Sequence, residues 1–193
     1  MPVRLMAAFP ALGCRSALSS AALLATLVGC TTNLDPSVFT GTGGNSSEVP
    51  SCSRFTLAPS DYLICPDALE FEAAAADCVR RGATLAVIGT EEEDNFVAAS
   101  ADGVANDDSW LGATRDDSYV WRWTDGTVFW RGGPDGSPEG DAFTNWLPGE
   151  PNDSSTVTTD PERCLALKYN QSTWNDRACS LRLPYACEQP STP

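Results

Sequence analysis

Apolar residues in the first half of the chain recur with the spacing of a helix. Phe71, Ala74 and Cys78 lie at positions i, i+3 and i+7, which places all three on one helical face. Pro66-Asp67 is suited to open this helix and Gly82 to close it. We therefore expect a helix between these two signals, with its cysteine on the buried face.

A second helix is predicted from Thr90 onward, because Thr90 and Glu93 have the spacing of a capping box. The acidic run from Glu91 to Asp94 would interact favourably with the helix dipole, and this explanation is simpler than a metal site. Tyr62 to Cys65 has the composition of a strand, and Thr84 to Ile88 is a further short apolar run.

After Trp110 the pattern becomes typical of strands. Tyr119, Trp121 and Trp123 occupy alternate positions, and Asp125-Gly126 then forms a hairpin turn. Such aromatic side chains can stack on sugars, but alternation within a strand favours packing in the core. Two helices followed by several short strands predict an α+β domain with a long loop region.

The charge balance excludes several classes of partner. The 193 residues include 12 Lys and Arg against 26 Asp and Glu, a net charge of −14. Such a surface repels nucleic acid and anionic lipid, whereas it suits a hard cation. The sequence contains no histidine, which excludes Ser-His-Asp and Cys-His catalysis and most zinc sites. Carboxylate chemistry or a metal held by oxygen remains.

Residues 1–29 have the pattern of an export signal. Arg4 and Arg15 precede an apolar stretch from Ala17 to Val28 that is too short to span a bilayer. The stretch ends in Leu27-Val28-Gly29-Cys30, which resembles the bacterial lipobox. That resemblance implies cleavage before Cys30, a lipid on its thiol, and display on the cell envelope, in the outer membrane. The alternative is an ordinary secretory leader followed by an incidental cysteine.

Residues 30–51 follow this signal and are rich in Thr, Ser, Gly, Pro and Asn. A segment of this composition has little to bury, so we interpret it as the lipidated cysteine followed by a flexible linker. It would hold a domain close to a membrane surface.

The cysteine count agrees with export. Cys14 is removed with the leader and Cys30 carries the lipid, which leaves six of the 8 cysteines. These six are Cys52, Cys65, Cys78, Cys164, Cys179 and Cys187. An exported chain with six cysteines is expected to form three disulfides, and spacing alone allows 15 connectivities.

Five oxygen-bearing side chains form a candidate metal site. They lie in Glu150-Pro151-Asn152, at Glu162 and in Trp174-Asn175-Asp176. Calcium takes 6–8 oxygen ligands and accepts a mixture of carboxylates and carbonyls. Three acids and two amides supply that mixture, although scattered loop acids are more often simply solvated.

The region 52–190 resembles the C-type lectin-like domain family along its length. The motifs that carry the resemblance, in order, are Phe71-x-x-Ala74-x-x-x-Cys78, Leu85 to Ile88, Trp110-Leu111-Gly112, Trp123-Thr124-Asp125-Gly126, Asn145-Trp146, Glu150-Pro151-Asn152, Trp174-Asn175-Asp176 and Cys187. The resemblance implies an α+β fold with two helices, short antiparallel sheets and a long calcium-binding loop region. It also implies the disulfides Cys78–Cys187, Cys164–Cys179 and, as in the long form of the family, Cys52–Cys65.

The same resemblance implies a function. The calcium ligands would be Glu150, Asn152, Glu162, Asn175 and Asp176, with the proline of the Glu-Pro-Asn motif in cis. Glu150, Asn152, Glu162 and Asn175 would also bind the sugar. The Glu/Asn order implies a mannose, glucose, N-acetylglucosamine or fucose glycan as the partner.

Two features depart from the family pattern. A second calcium site would need Asp153 and an acid after Glu162, but Arg163 stands there, so we expect only one site. Residues 131–145 and 153–161 form long loops that could cover or extend the sugar site.

Two other functions remain open. The domain could bind proteins without binding sugar. It could also be a glycosidase, with Glu150 and Glu162 as its two carboxylates, but both serve better as charged metal ligands. We therefore expect no catalysis.

Overall fold

The computed structural model describes residues 51–155 and 160–191, all of which belong to one compact unit. The expected leader, Cys30 and almost all of the expected linker lie outside the described residues. Within the described part of the chain, no helix is long and apolar enough to cross a membrane.

Two helices and ten strands make up the described fold. The helices are α1 (Phe71–Arg80) and α2 (Glu91–Val104). The strands are β1 (Ser53–Leu57), β2 (Ser60–Leu69), β3 (Thr84–Leu85), β4 (Ser109–Arg115), β5 (Val120–Trp123), β6 (Val128–Arg131), β7 (Ser137–Pro138), β8 (Glu162–Leu167), β9 (Trp174–Ala178) and β10 (Leu183–Pro190). The α+β class with two helices is therefore confirmed.

The strand order brings the two ends of the domain together. The main path runs β1-β2-β10-β4-β5-β6-β7, and β10 crosses between β2 and β4. Strand β8 pairs with both β4 and β9, so the β8–β9 hairpin branches from the middle of the sheet. Its position matters because this hairpin carries three of the five candidate ligands.

The first helix begins later than the sequence predicts. Pro66-Asp67 lies inside β2, because β2 continues to pair with β10 as far as Leu69 opposite Leu183. Tertiary pairing here overrides the local helix-start signal, and the prediction of a helix from Pro66 is wrong. Gly82 follows the helix end with φ +76°, a left-handed conformation that glycine adopts without strain.

The second helix begins as predicted. The side chain of Thr90 accepts a hydrogen bond from the backbone N–H of Glu93 at 3.2 Å. The Glu93 carboxylate reaches back to the N–H of Gly89 at 2.9 Å, one residue before the cap. Both contacts satisfy backbone donors at the helix start.

The tryptophans form the core, as their alternation predicts. Trp121 and Trp123 are buried, and Trp123 stacks on Phe129 with ring centroids 4.5 Å apart. Trp174 packs edge-on against the ring of Trp123. Tyr119, the outermost member of the alternating set, is 38% exposed and contributes little to the core.

The three expected disulfides are present. They join Cys52 to Cys65, Cys78 to Cys187 and Cys164 to Cys179, which are separated by 13, 109 and 15 residues. The long bridge links α1 to the last strand and constrains the unfolded chain most.

Candidate metal site

The candidate ligands come from one loop and one hairpin. Strands β8 and β9 pair antiparallel, with Ala166 opposite Asn175 and Leu165 opposite Asp176. Glu162 is the first residue of β8, before a register shift near Cys164. The hairpin therefore places Glu162 at its open end, and it places Asn175 and Asp176 on the neighbouring strand β9.

The loop that carries Glu150 is held against β9 by its backbone. The N–H of Leu147 donates to the carbonyl of Trp174 at 2.8 Å, and the N–H of Trp174 donates to the carbonyl of Asn145 at 2.7 Å. A turn then follows, in which the N–H of Glu150 donates to the carbonyl of Leu147.

Asp176 fastens the end of this loop. It has no solvent exposure, and its carboxylate accepts from the N–H of Asn152 at 3.1 Å and from the N–H of Asp153 at 2.8 Å. The Glu150–Pro151 peptide is cis, as expected, and Pro151 is buried. Asp176 and the Glu-Pro-Asn segment therefore form one unit.

Two buried acceptors in the site lack a partner among the described residues. They are Oε2 of Glu150 and Oδ1 of Asn175. An unpaired buried oxygen costs free energy, and native proteins rarely leave one unexplained. Both oxygens belong to the predicted ligand set, and carboxylate and amide oxygens are the donors that calcium prefers. The residues present therefore fit a hard cation.

The electrostatics of the site also favour a cation. Burial, followed by the nearby Asp176 and Glu162 carboxylates, raises the pKa of Glu150 to about 7. Burial and the charge of Asp176 also raise the pKa of Glu162. The neighbouring negative charges thus oppose the ionisation of Glu150 and Glu162, and a bound cation would relieve that repulsion.

Ser154 contacts two of the candidate ligands. Its N–H donates to Oδ1 of Asn152 at 2.8 Å and to Oε2 of Glu162 at 2.9 Å. Each acceptor oxygen keeps a second lone pair for another ligand. Asn152 is exposed, so its amide NH₂ can reach a molecule in solution.

Asp153 already has a cationic partner. The guanidinium of Arg115 donates to the Asp153 carboxylate at 2.5 Å, and the Arg115 side chain is only 2% exposed. Arg163 forms an ion pair with Asp117. Of the two positions considered for a second calcium site, Asp153 is thus paired with an arginine, and position 163 is itself an arginine paired with another acid. Arg115 was missed in the sequence, where a lone arginine at a strand end carries no signal.

A separate acid lies near two cysteines but does not form a metal site. Cys52, Cys65 and Asp77 lie close together, yet the cysteines are disulfide-bonded. The Asp77 carboxylate is paired with Arg80 and Arg81.

The Lectin C-type domain matches residues 67–189 of the chain. The chain belongs to the C-type lectin domain family. Among curated relatives, mouse C-type lectin domain family 4 member K is 30% identical over 115 residues, which cover 58% of this chain and 30% of that protein. Family membership agrees with a binding module, because these domains are generally non-catalytic.

Solved structures share the fold. The human scavenger receptor C-type lectin carbohydrate-recognition domain is 26% identical, with a TM-score of 0.58 over 73% of this chain and all of that one. The herring type II antifreeze protein is 25% identical, with a TM-score of 0.55 over 72% of this chain and 97% of that one. The chain is thus similar to members of the fold with different roles.

Proposed function

We propose that this protein is a calcium-dependent lectin for glycans of the mannose type, displayed on the cell envelope through a lipid on Cys30. The single observation that carries the proposal is the pair of buried oxygens on Glu150 and Asn175 that have no hydrogen-bond partner in the described part of the chain. They lie in the two motifs that would contribute both metal ligands and sugar contacts.

Each residue of the site has a part in this proposal. Glu150, Asn152, Glu162, Asn175 and Asp176 would hold calcium. Bound calcium would offer coordination positions to two neighbouring hydroxyl groups of one sugar. The carboxylates of Glu150 and Glu162 accept hydrogen bonds from these hydroxyls, while the amide groups of Asn152 and Asn175 donate to them.

Affinity for a single sugar should be low, because few groups make contact. A dissociation constant near 1 mM corresponds to about −4 kcal/mol. Many copies anchored on one surface would raise the effective affinity through multivalency. The expected lipid anchor would provide that arrangement.

Calcium titration of the purified chain tests the proposal. Isothermal calorimetry should show binding to the wild type and a loss of affinity of at least tenfold in Glu150→Gln. Glu72→Gln is the matched control, because Glu72 is exposed in the first turn of α1. No heat at millimolar calcium in the wild type would reject the metal site.

A glycan array with and without chelator tests the sugar. Binding to mannose-type glycans that chelator abolishes is the expected result. The second candidate function is a protein-binding or adhesion module without sugar binding. The similarity to an antifreeze protein supports considering a role other than sugar binding. Calcium binding with no retained glycan would support that candidate.

A further inference from the structure

A buried arginine lies directly behind the proposed calcium site. Arg115 is the last residue of β4, and its side chain is 2% exposed. Its guanidinium lies 4.3 Å from the ring centroid of Tyr119, which covers one face. A cation held in this way has a fixed position, since stacking and burial leave it little freedom.

The guanidinium bridges two backbone segments that carry candidate ligands. Its Nε donates to the backbone carbonyl of Glu162 at 2.9 Å, and a terminal nitrogen donates to the Asp153 carboxylate. The other oxygen of Asp153 accepts from the N–H of Glu162 at 2.8 Å. Both backbone groups of Glu162 are thereby fixed, one by Arg115 and one by the aspartate that Arg115 holds.

The position of Asp153 also fixes its neighbours. Asp153 has φ +51°, and its own N–H donates to Asp176. Asn152 precedes it, and Ser154, which contacts both Asn152 and Glu162, follows it. The arginine, the aspartate and the serine therefore connect the start and the end of the segment 153–162.

We propose that Arg115 is a positioning residue, an internal cation that holds Asn152 and Glu162 in the arrangement that binds calcium before calcium arrives. The proposal rests on the proposed function, because it concerns the same site. Arg115 would act through Asp153 and the backbone of Glu162, and not as a ligand of the metal or the sugar.

The direction of an effect on affinity distinguishes positioning from simple charge. Arg115 carries the same sign of charge as calcium, so by Coulomb's law alone its removal would strengthen calcium binding. Loss of a group that orients ligands weakens metal binding by about 10- to 100-fold. Arg115→Met should therefore raise the dissociation constant by at least tenfold.

Two further variants sharpen the test. Arg122→Met removes a positive charge from an exposed position on β5, and it should leave affinity unchanged or slightly improve it. Arg115→Lys keeps the charge, but an ammonium group lacks the planar fork that spans two acceptors. It should restore only part of the affinity. Unchanged or tighter binding in Arg115→Met would overturn the proposal.

Amide hydrogen exchange without calcium gives a second measurement that does not depend on metal binding. The N–H groups of Ser154 and Glu162 should exchange at least tenfold faster in Arg115→Met than in the wild type. Their exchange rates should be unchanged in Arg122→Met. If the wild type binds no calcium, the proposed function fails, and exchange alone decides whether Arg115 holds this segment. Equal exchange in all variants would overturn that role.

If Arg115→Met does not fold, Asp153→Asn replaces it. This change weakens the contact with the guanidinium while the arginine stays in place. It also removes a negative charge, which by itself weakens calcium binding, so faster exchange of the Ser154 and Glu162 N–H groups is the expected result that decides. Unchanged affinity and exchange in Asp153→Asn would count against the proposal.

Discussion

Asp94 accepts a hydrogen bond from the indole nitrogen of Trp174 at 2.7 Å, and neither residue is more than 1% exposed. The second oxygen of Asp94 accepts from the side-chain amide of Asn145, also at 2.7 Å. One carboxylate in the first turn of α2 thus connects the helix to β9 and to the segment that leads into Glu150. Burial raises the pKa of Asp94.

Replacement of Asp94 by alanine should destabilise the protein by about 3 kcal/mol, because the buried indole N–H of Trp174 loses its partner and the half-buried amide of Asn145 loses one of its two acceptors. Urea denaturation measures the free energy of unfolding. Glu92→Ala is the matched control, since Glu92 is exposed in the same turn, and it should change stability by less than about 0.5 kcal/mol. An equal decrease in the free energy of unfolding in the two variants would show that Asp94 stabilises the protein only through the helix dipole.

The raised pKa values predict an unusual dependence on pH. In the calcium-free protein, Glu150 holds a proton up to about pH 7, whereas the unfolded chain loses it near 4.5. The folded state binds more protons in this window, so its stability should fall as pH rises from 4.5 to 7. Thermal melting with chelator at several pH values measures this, and Glu150→Gln should flatten the curve. A melting temperature that rises across the window in the wild type would contradict the assignment.

Calcium affinity should depend on pH in the opposite sense. The ligands must lose their protons to bind, so affinity should fall between pH 7 and pH 5, and binding near pH 7 should release protons. Calorimetry in buffers of different ionisation enthalpy measures the released protons. Equal affinity at pH 7 and pH 5 would argue against Glu150 and Glu162 as ligands.

The sugar preference should follow the order of the acid and the amide. The double variant Glu150→Gln and Asn152→Asp exchanges the accepting and donating groups on the two sides of Pro151. We expect it to shift binding from mannose-type glycans toward galactose on a glycan array. Retained mannose preference would refute the role of these two residues. Glu72→Gln is the control variant, and it should keep the glycan preference of the wild type.

Lipidation of Cys30 stays a prediction, because Cys30 lies outside the described residues. It can be tested directly in cells. Expression in bacterial cells with an alkyne-labelled fatty acid should label the wild type and leave Cys30→Ala unlabelled. Cys30→Ala should also be absent from the membrane fraction, in which the wild type is found. Labelling of Cys30→Ala would show that the lipid is attached elsewhere.

Much of the fold could be predicted because the relevant signals are local. The spacing of Phe71, Ala74 and Cys78 identified the buried face of α1, and Thr90 marked the start of α2. The alternation of Trp121 and Trp123 identified core positions in β5. Each of these signals depends on neighbours within a few residues, so tertiary contacts seldom override them.

The helix start at Pro66-Asp67 was wrong for a reason that no local pattern contains. The segment belongs to β2 because β10, more than 110 residues later, supplies the hydrogen bonds that extend the strand. The cysteine spacing likewise left 15 connectivities open, and only the resemblance to a family reduced them to the one that the structure shows.

The sequence by itself determined which residue types were available for a site: acids and amides in two motifs, six cysteines and no histidine. Tertiary structure alone decided which of them act together. It buried Asp94 against Trp174, placed Arg115 behind Glu162, and left oxygens of Glu150 and Asn175 without partners in the described chain. The physical reason is that burial and pairing depend on groups distant in sequence, whose meeting is set by the packing of the whole sheet.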